Sequence, residues 1–361
     1  MLLLSNRDVE AVLDMRGCLQ ALDTGYRDLE RGDGTFIPRI DLYAPTGGAD
    51  GYYRWGSMTG ACRSFGVLAC RIKSDVVSWP EGRTEEKYCI RPGLYSGIIL
   101  LYALADGRPL AIIHDGYLQH MRTGGSAGLG TEALARSDAR VAAIIGSGGM
   151  ARTFLEAIAA VRRLELVRVY SPTTEHRDRF AAEMSRRLGV QVTGVPSARE
   201  AVREADIVAT ATDAMHPTFD PAWLAPGTHV TCVTRREVDR SLLARADLVV
   251  HLGLDTIPPG VPVPGMEWPR GGMAAFIAGT AEERARIPRS QSPVPSDVSL
   301  ADLRAGRHPG RARPEDITFF LNTGTQGLQF AAVAGYVLER ARARRLGTEV
   351  PDDWFLEDIR D

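Results

Sequence analysis

The chain has 361 residues, enough for two domains and a sizeable core. A formal net charge of −2 leaves no electrostatic footprint for general nucleic-acid or membrane-surface binding, and no apolar run reaches the length of a membrane span. The five cysteines (18, 62, 70, 89 and 232) are odd in number and include no C-x-x-C pair, which argues against a disulfide framework or a zinc site. The N-terminus has no basic region or signal core, so the expected location is the cytoplasm.

Residues 6–31, opened by a cap-like Ser5-Asn6, carry Val9, Val12, Leu13, Cys18, Leu19, Leu22, Tyr26 and Leu29 at helical spacing. Gly32-Asp33-Gly34 ends that helical stretch. Phe36 to Leu42 predicts a strand entrance, and Gly51–Thr59 and Gly66–Val77 predict strands, with turns at Gly47-Gly48 and Pro80–Gly82. Tyr95–Ala103 is a further strand, with Leu110–His114 as its hairpin partner across the turn at Asp106-Gly107. The first part of the chain is therefore an α+β unit dominated by strands.

From Leu118 a helical segment leads into the stretch around which the chain is organised. Val141–Ile145 predicts a buried parallel strand, and Phe154, Leu155 and Ile158 mark one face of a helix. Between them lies Gly146-Ser-Gly148-Gly149-Met150-Ala151, a G-x-G-x-x-A turn in the strand–turn–helix setting of a dinucleotide fingerprint. Gly146 permits the tight turn, Gly148 lets backbone approach a pyrophosphate, and Ala151 lets the helix lie close to the strand. The helix N-terminus offers free N–H groups to the phosphates. Strands at Leu166–Tyr170, Val190–Thr193, Ile207–Thr212, His229–Val233 and Ala246–His251 alternate with helical segments at 174–187 and Ala198–Ala205. This alternation predicts an α/β fold, a Rossmann-type doubly wound parallel sheet beside the α+β unit.

Residues 255–315 are rich in proline, glycine and arginine. They predict mostly loop, a candidate lid, with helices at Ala274–Arg286 and Leu300–Arg304. Gly324–Ala343 predicts a helix whose small residues suit close packing, and Pro351–Asp361 an acidic tail that docks on a partner chain or hangs free.

NAD enzymes place an acid at the end of the second strand, to bind the ribose hydroxyls. Here that position begins Ser171-Pro-Thr173-Thr-Glu-His-Arg177-Asp-Arg179, without an acid at the strand end. Ser171 and Thr173 can bond a 2′-phosphate, and His176, Arg177 or Arg179 can offset its charge. NADP(H) is the preferred expectation, and Glu175 keeps NAD(H) as the alternative. Candidate cofactor contacts are Thr123, Gly146, Gly148, Gly149, Met150, Ala151, Ser171, Thr173, Arg177, Thr212, Val233 and Gly324. Of 43 basic residues only Lys73 and Lys87 are lysines. A lysine retained in such a chain points to a position where a group able to release its proton is needed. His114, His120, His216 and His251 show no metal spacing, and no metal is expected.

Asp115-Gly-Tyr-Leu-Gln-His-Met-Arg122-Thr-Gly-Gly-Ser-Ala127, followed by Val141 to Ala151, resembles the ornithine cyclodeaminase/mu-crystallin family. Pro38-Arg39, Met58, Lys73 in Cys70-Arg-Ile-Lys-Ser-Asp-Val-Val77, Asp206–Thr212 and Gly324-Thr-Gln-Gly-Leu-Gln329 are similar to other family segments, in the same order. The resemblance spans roughly residues 30 to 345. It implies a substrate-binding and dimerisation domain (1–124 with 320–361), a Rossmann domain (125–319), and a homodimer. It also implies that Arg39 and Arg122 hold a substrate α-carboxylate, and that Lys73 exchanges the proton on the substrate nitrogen. Guanidinium–carboxylate pairing and a lysine of depressed pKa suit those tasks.

Two departures stand out. Ornithine cyclodeaminases resemble one another in an aspartate after the fifth strand, but here Val233 runs straight into Thr234-Arg-Arg-Glu237-Val-Asp239, where Glu237 and Asp239 are expected to continue the next helix. The family's glutamate before its Met-Pro strand is replaced by Gly56-Ser57. Without those carboxylates a second substrate amine has no evident partner. The expected activity is therefore an NAD(P)H-dependent oxidoreductase acting on C=N or CH–NH bonds beside a carboxylate, an imine reductase or amino-acid dehydrogenase with a small amino, imino or keto acid as substrate. The rivals are an ammonia lyase using NAD catalytically and an NADPH-dependent ligand-binding protein.

Overall fold

A computed structural model describes residues 1–47, 51–253, 266–267, 274–288, 296 and 298–359. Its first sheet is a mainly antiparallel meander. In spatial order it runs Met266–Glu267, Ala274–Ile277, Ile40–Pro45, Tyr52–Cys62, Val67–Ser78, Ser96–Ala103, Pro109–His114, Leu2–Leu4 and Thr348–Glu349. Side chains alternate along Val67–Ser78, so that Val67, Ala69, Arg71, Lys73, Asp75 and Val77 are buried on one face.

The second sheet is parallel throughout, in the order Gln191–Gly194, Leu166–Tyr170, Val141–Ile145, Ile207–Thr210, His229–Cys232, Thr318–Leu321, Leu248–His251 and Val298–Ser299. This is the doubly wound architecture expected, with two strands unforeseen, Thr318–Leu321 and the two-residue edge strand Val298–Ser299. Thr318–Leu321 is fully buried and lies between the fifth and sixth expected strands. It is short and follows a polar loop, so it gives little periodicity to read.

Several other expectations are corrected. Residues 6–31 form two helices, Asn6–Val12 and Met15–Arg31, because the Asp14 carboxylate caps a new start by accepting from the Gly17 N–H at 2.7 Å. The segment Phe36 to Leu42 divides between Gly34–Phe36 and Ile40–Pro45, with Pro38, which lacks an N–H, in the gap. Ala274–Ile277 is a strand parallel to Ile40–Pro45 rather than helix, and only Ala281–Arg286 is helical there. Residues 255–265, 268–273, 289–295 and 297 of the expected lid, Gly48 of the first turn and residues 360–361 of the tail lie outside the described residues. Positions 124/125 and 319/320 fall inside single elements, Gly116–Leu134 and Thr318–Leu321. Among the described residues no helix is long and apolar enough to cross a membrane.

Two helices join the sheets. Gly116–Leu134 lies on Gly149–Val161 with Gly124 against the Thr153 backbone and Gly128 against Ala157. The last helix, Gln326–Ala343, returns to the first sheet. It begins two residues later than expected, because Gly324 (φ 104°) and Thr325 (φ 53°) are left-handed. Gly327 meets the backbone of Thr59 and Gly60 so closely that a Cβ would overlap it. Gly327→Val should force that crossing apart and destabilise the fold by about 2–3 kcal/mol, measured as a lower denaturant midpoint.

Candidate active site

Register places the chemistry. Asp41, Gly56, Lys73 and Gly97 face one another across four strands, the neighbouring row holds Tyr43, Arg54 and Asp75, and the next holds Met58, Arg71 and Ile99. Charged side chains therefore recur every second residue on one buried face. Asp41, Arg54, Arg71, Lys73 and Asp75 are each less than 5 % exposed.

Burial of this kind demands partners. Arg54 donates from Nε and Nη2 to the two oxygens of Asp75, at 2.8 Å each, and lies 3.4 Å from Glu85. Arg71 pairs with Asp115, which fits behind the sheet only because residue 97 is glycine. Arg71 Nη2 also donates to the Tyr95 hydroxyl at 2.8 Å. Arg39 grips Asp41 in the same two-bond fashion, from Nε at 2.8 Å and Nη2 at 2.7 Å. Lys73 Nζ stands 3.8 Å from Asp41 Oδ1.

Arg122 differs. Its Nε and Nη2 donate to Gln119 Oε1 at 3.1 and 2.7 Å, and its Nη1 donates to Gln329 Oε1 at 3.0 Å. The guanidinium lies 4.7 Å over the Phe330 ring, which Arg71 also approaches at 5.5 Å. Both hydrogen-bonding partners are neutral amides. Burial, and then the neighbouring Arg71, penalise its charge, a penalty that an incoming anion relieves.

Burial lowers the Lys73 pKa well below the ordinary lysine value, Arg39 and Arg54 add to the effect, and Asp41 and Asp75 oppose it. Burial would raise the Asp41 carboxyl, but Arg39 and Lys73 outweigh it and hold it below the usual range. The site thus presents a lysine able to exchange a proton beside fixed cations.

The glycine turn stands at the C-terminal end of the parallel sheet. Gly146 has φ 114°, and a Cβ there would overlap the Ala211 carbonyl. A Cβ on Gly148 would meet nothing within 4 Å, which leaves its backbone open to a ligand, and Gly148 begins the helix Gly149–Val161. Ala151 is fully buried and Met150 half-buried. This cradle fits a dinucleotide pyrophosphate. At the end of the second strand Ser147 Oγ donates to Ser171 Oγ at 3.0 Å. Thr173 is exposed, and Arg177 Nη1 reaches the Ser171 carbonyl at 3.4 Å.

Other candidates are already engaged. Thr212 donates its N–H and hydroxyl to Glu237 at 2.6 and 2.8 Å, and Glu237 also accepts from the Thr234 N–H at 2.7 Å. Glu237 therefore ties the ends of the fourth and fifth strands, and Asp239 accepts from the Ser241 N–H. Glu237 closes a single 3-10 turn, Arg235–Glu237, and Asp239 precedes the next helix, Ser241–Arg245, so neither lies in the helix that follows. Thr123 donates to the Gln119 carbonyl and accepts from Asn322. Val233 is half-buried beside the turn's core, and Gly324 presses on the Gly253 backbone. His120 packs its ring on Gly149, so it faces the nucleotide turn.

The two halves also meet directly. Glu85 N–H donates to the Asp213 carbonyl at 3.0 Å and Met215 N–H to the Arg83 carbonyl at 2.8 Å, while Arg236 reaches Glu85 at 3.5 Å. Sequence reasoning missed Asp41, Arg54, Arg71, Asp75, Asp115 and both glutamines. The readable signal was Arg71-x-Lys73-x-Asp75, charges at a strand's period between apolar residues.

Residues 91–345 match the ornithine cyclodeaminase/mu-crystallin family. A Bacillus cereus Delta(1)-pyrroline-2-carboxylate reductase is 32% identical over 261 residues, covering 71% of this chain and 74% of that protein. The Thermococcus litoralis Delta(1)-pyrroline-2-carboxylate reductase, solved in complex with NADH and L-proline, superposes with a TM-score of 0.74 at 27% identity, covering 97% of this chain and 100% of that one. A probable ornithine cyclodeaminase from Bordetella pertussis gives 0.72 at 26% identity, covering 96% and 98%. Gly146→Ala, which strains φ and crowds Ala211, should weaken dinucleotide binding by at least about tenfold, measured by quenching of protein fluorescence.

Proposed function

The chain belongs to the ornithine cyclodeaminase/mu-crystallin family, and from that premise we propose that it is a nicotinamide-dependent oxidoreductase that reduces a C=N bond beside a carboxylate, or runs the reverse oxidation of the amine. The observation that carries this reading is the contrast among the cations of this face. Arg39, Arg54 and Arg71 each have a carboxylate partner, whereas Arg122 is held by two amides. Arg122 is thus preformed for the substrate carboxylate, and Arg39 has its Nη1 edge left as a second donor. Lys73 gives a proton to the imine nitrogen as the adjacent carbon takes hydride, and a neutral Lys73 receives that proton back in the oxidative direction. The coenzyme, when bound, supplies or accepts the hydride. Gly146, Gly148, Gly149, Met150, Ala151, Thr123, Val233 and Gly324 would hold it, with Thr212 placed by Glu237.

A cyclic ketimine acid, the substrate class in the names of the two pyrroline-2-carboxylate reductases, suits this arrangement. The carboxylate nearest Lys73 is already neutralised by Arg39, so a second substrate amine gains no partner there. That weighs against cyclodeamination of a diamino acid. We take NADPH as the preferred coenzyme, because Ser171 and Arg177 stand where an acid would select NADH. The relative that holds NADH marks the alternative. The outer face of the first sheet exposes Leu42, Tyr53, Ile98 and Tyr102, and a second copy covering it would give a homodimer of substrate domains built from 1–124 and 320–361.

Purified protein should oxidise NADPH when offered cyclic ketimine acids, or α-keto acids with ammonia or simple amines. Lys73→Met should lower kcat by at least about a hundredfold and leave coenzyme affinity unchanged. Ammonia release from ornithine with catalytic NAD, and no reduction of any imine, would contradict the reading. Arg177→Ala should lower the NADPH-to-NADH ratio of kcat/KM by about tenfold, measured by initial rates with each coenzyme.

A further inference from the structure

Gly56 is the pivot of the row that contains Lys73. It lies between Asp41 and Lys73 on the central strand of the three, and a Cβ there would overlap both Asp41 Oδ1 and Lys73 Cε. Side chains on strands two apart start some 9–10 Å from one another. Only because the intervening residue has no side chain do these two lean together, to 3.8 Å. Asp41 is 1% exposed and is fixed from its other side by the two bonds from Arg39.

We propose that Asp41 is a positioning residue for the reaction: it locks Arg39, stands beside Lys73 across the gap left by Gly56, and through that clasp governs when Lys73 holds its proton. The inference rests on the assignment of Lys73 as the proton-transfer group. It deepens that assignment by naming what sets the lysine's charge.

The surroundings single out Asp41. From its own strand Lys73 has Arg71 and Asp75 as neighbours, from the adjoining strand Arg54, and from the edge segment Glu85 and Lys87. Asp115 lies behind Gly97, Arg122 comes from the helix at 116–134, and Arg236 meets Glu85 from the other sheet. Asp75 is committed to Arg54, Asp115 to Arg71, and Glu85 lies between Arg54 and Arg236. Asp41 is the carboxylate within ion-pair distance of Lys73 among the described residues. Remove its charge, and Lys73 faces Arg39 and Arg54 with less compensation, so its proton is held less tightly.

Lys73 and Lys87 are the chain's two lysines, so the full-length protein grown on isotope-labelled lysine gives two side-chain signals by NMR. Lys87→Arg assigns them. In Asp41→Asn the Lys73 midpoint should move to lower pH by at least about one unit. In Gly56→Ala, which keeps every charge but wedges Asp41 from Lys73, it should move the same way. The pH limb of kcat assigned to Lys73 should shift by the same amount in each variant. A Lys73 midpoint that stays at its native value in Gly56→Ala, or in a folded Asp41→Asn, overturns the proposal, even if thermal stability falls. The two readings fail separately. If the native enzyme reduces no imine, the assigned reaction falls, while the NMR midpoints still decide the role of Asp41.

Discussion

Arg54, Arg71 and Lys73 are buried on one face of an antiparallel sheet, with Arg39 half-buried just before its edge strand, and removing a buried charge from water costs several kcal/mol even after relaxation. Much of the surrounding structure answers that cost. Asp75 lies directly across from Arg54 in register. Asp115 reaches Arg71 past a glycine, Asp41 reaches Lys73 past another, and Asp41 also holds Arg39 two residues before it. A buried cation whose partner is a carboxylate has its charge matched inside the protein. Arg122, which lies on two glutamine amides and a phenyl ring, keeps its charge unmatched. The site is therefore selective for an anion at one point, while its remaining charges shape the electrostatics around Lys73.

The same constraint explains how the two sheets are joined. Helix Gly116–Leu134 carries Arg122 toward the charged face of the first sheet and His120 against the glycine turn of the second. Its glycines let it lie almost backbone to backbone on the nucleotide helix. The last helix supplies Gln329 and Phe330 to Arg122 and is clamped to the sheet by Gly327. Glu85 and Arg236 carry the charge network from the first sheet to the loop after the fifth strand. The charged face of the first sheet and the glycine turn of the second are thus fixed relative to one another by short, glycine-mediated contacts.

Local signals were legible in the sequence. The G-x-G-x-x-A turn, the strand before it and the helix after it depend on adjacent residues. So do the hairpins of the first sheet, whose alternation is visible in Gly66–Val77. Lys73, Arg39 and Arg122 were the expected substrate-site residues, and the structure brings the three to the same region. What could not be read was register. Asp41 and Lys73 meet only because Gly56 sits between them in the sheet, and Arg122 meets Gln329 across 207 residues. Short strands, the three-residue Leu2–Leu4 and the buried Thr318–Leu321, were invisible for the same reason: their identity comes from their neighbours. The helical stretch 6–31 looked continuous because its apolar spacing persists through Leu13 while the Asp14 cap restarts the backbone.

The central claim is that the charged inner face of the first sheet is the substrate site, with Arg122 as its anion anchor. A crystal structure with bound coenzyme and a cyclic amino acid such as L-proline tests it most directly. The carboxylate should lie on Arg122 and the ring nitrogen toward Lys73, with the Arg39–Asp41 clasp intact. An amino acid bound elsewhere, or held with Arg122 still confined to Gln119 and Gln329, would contradict it.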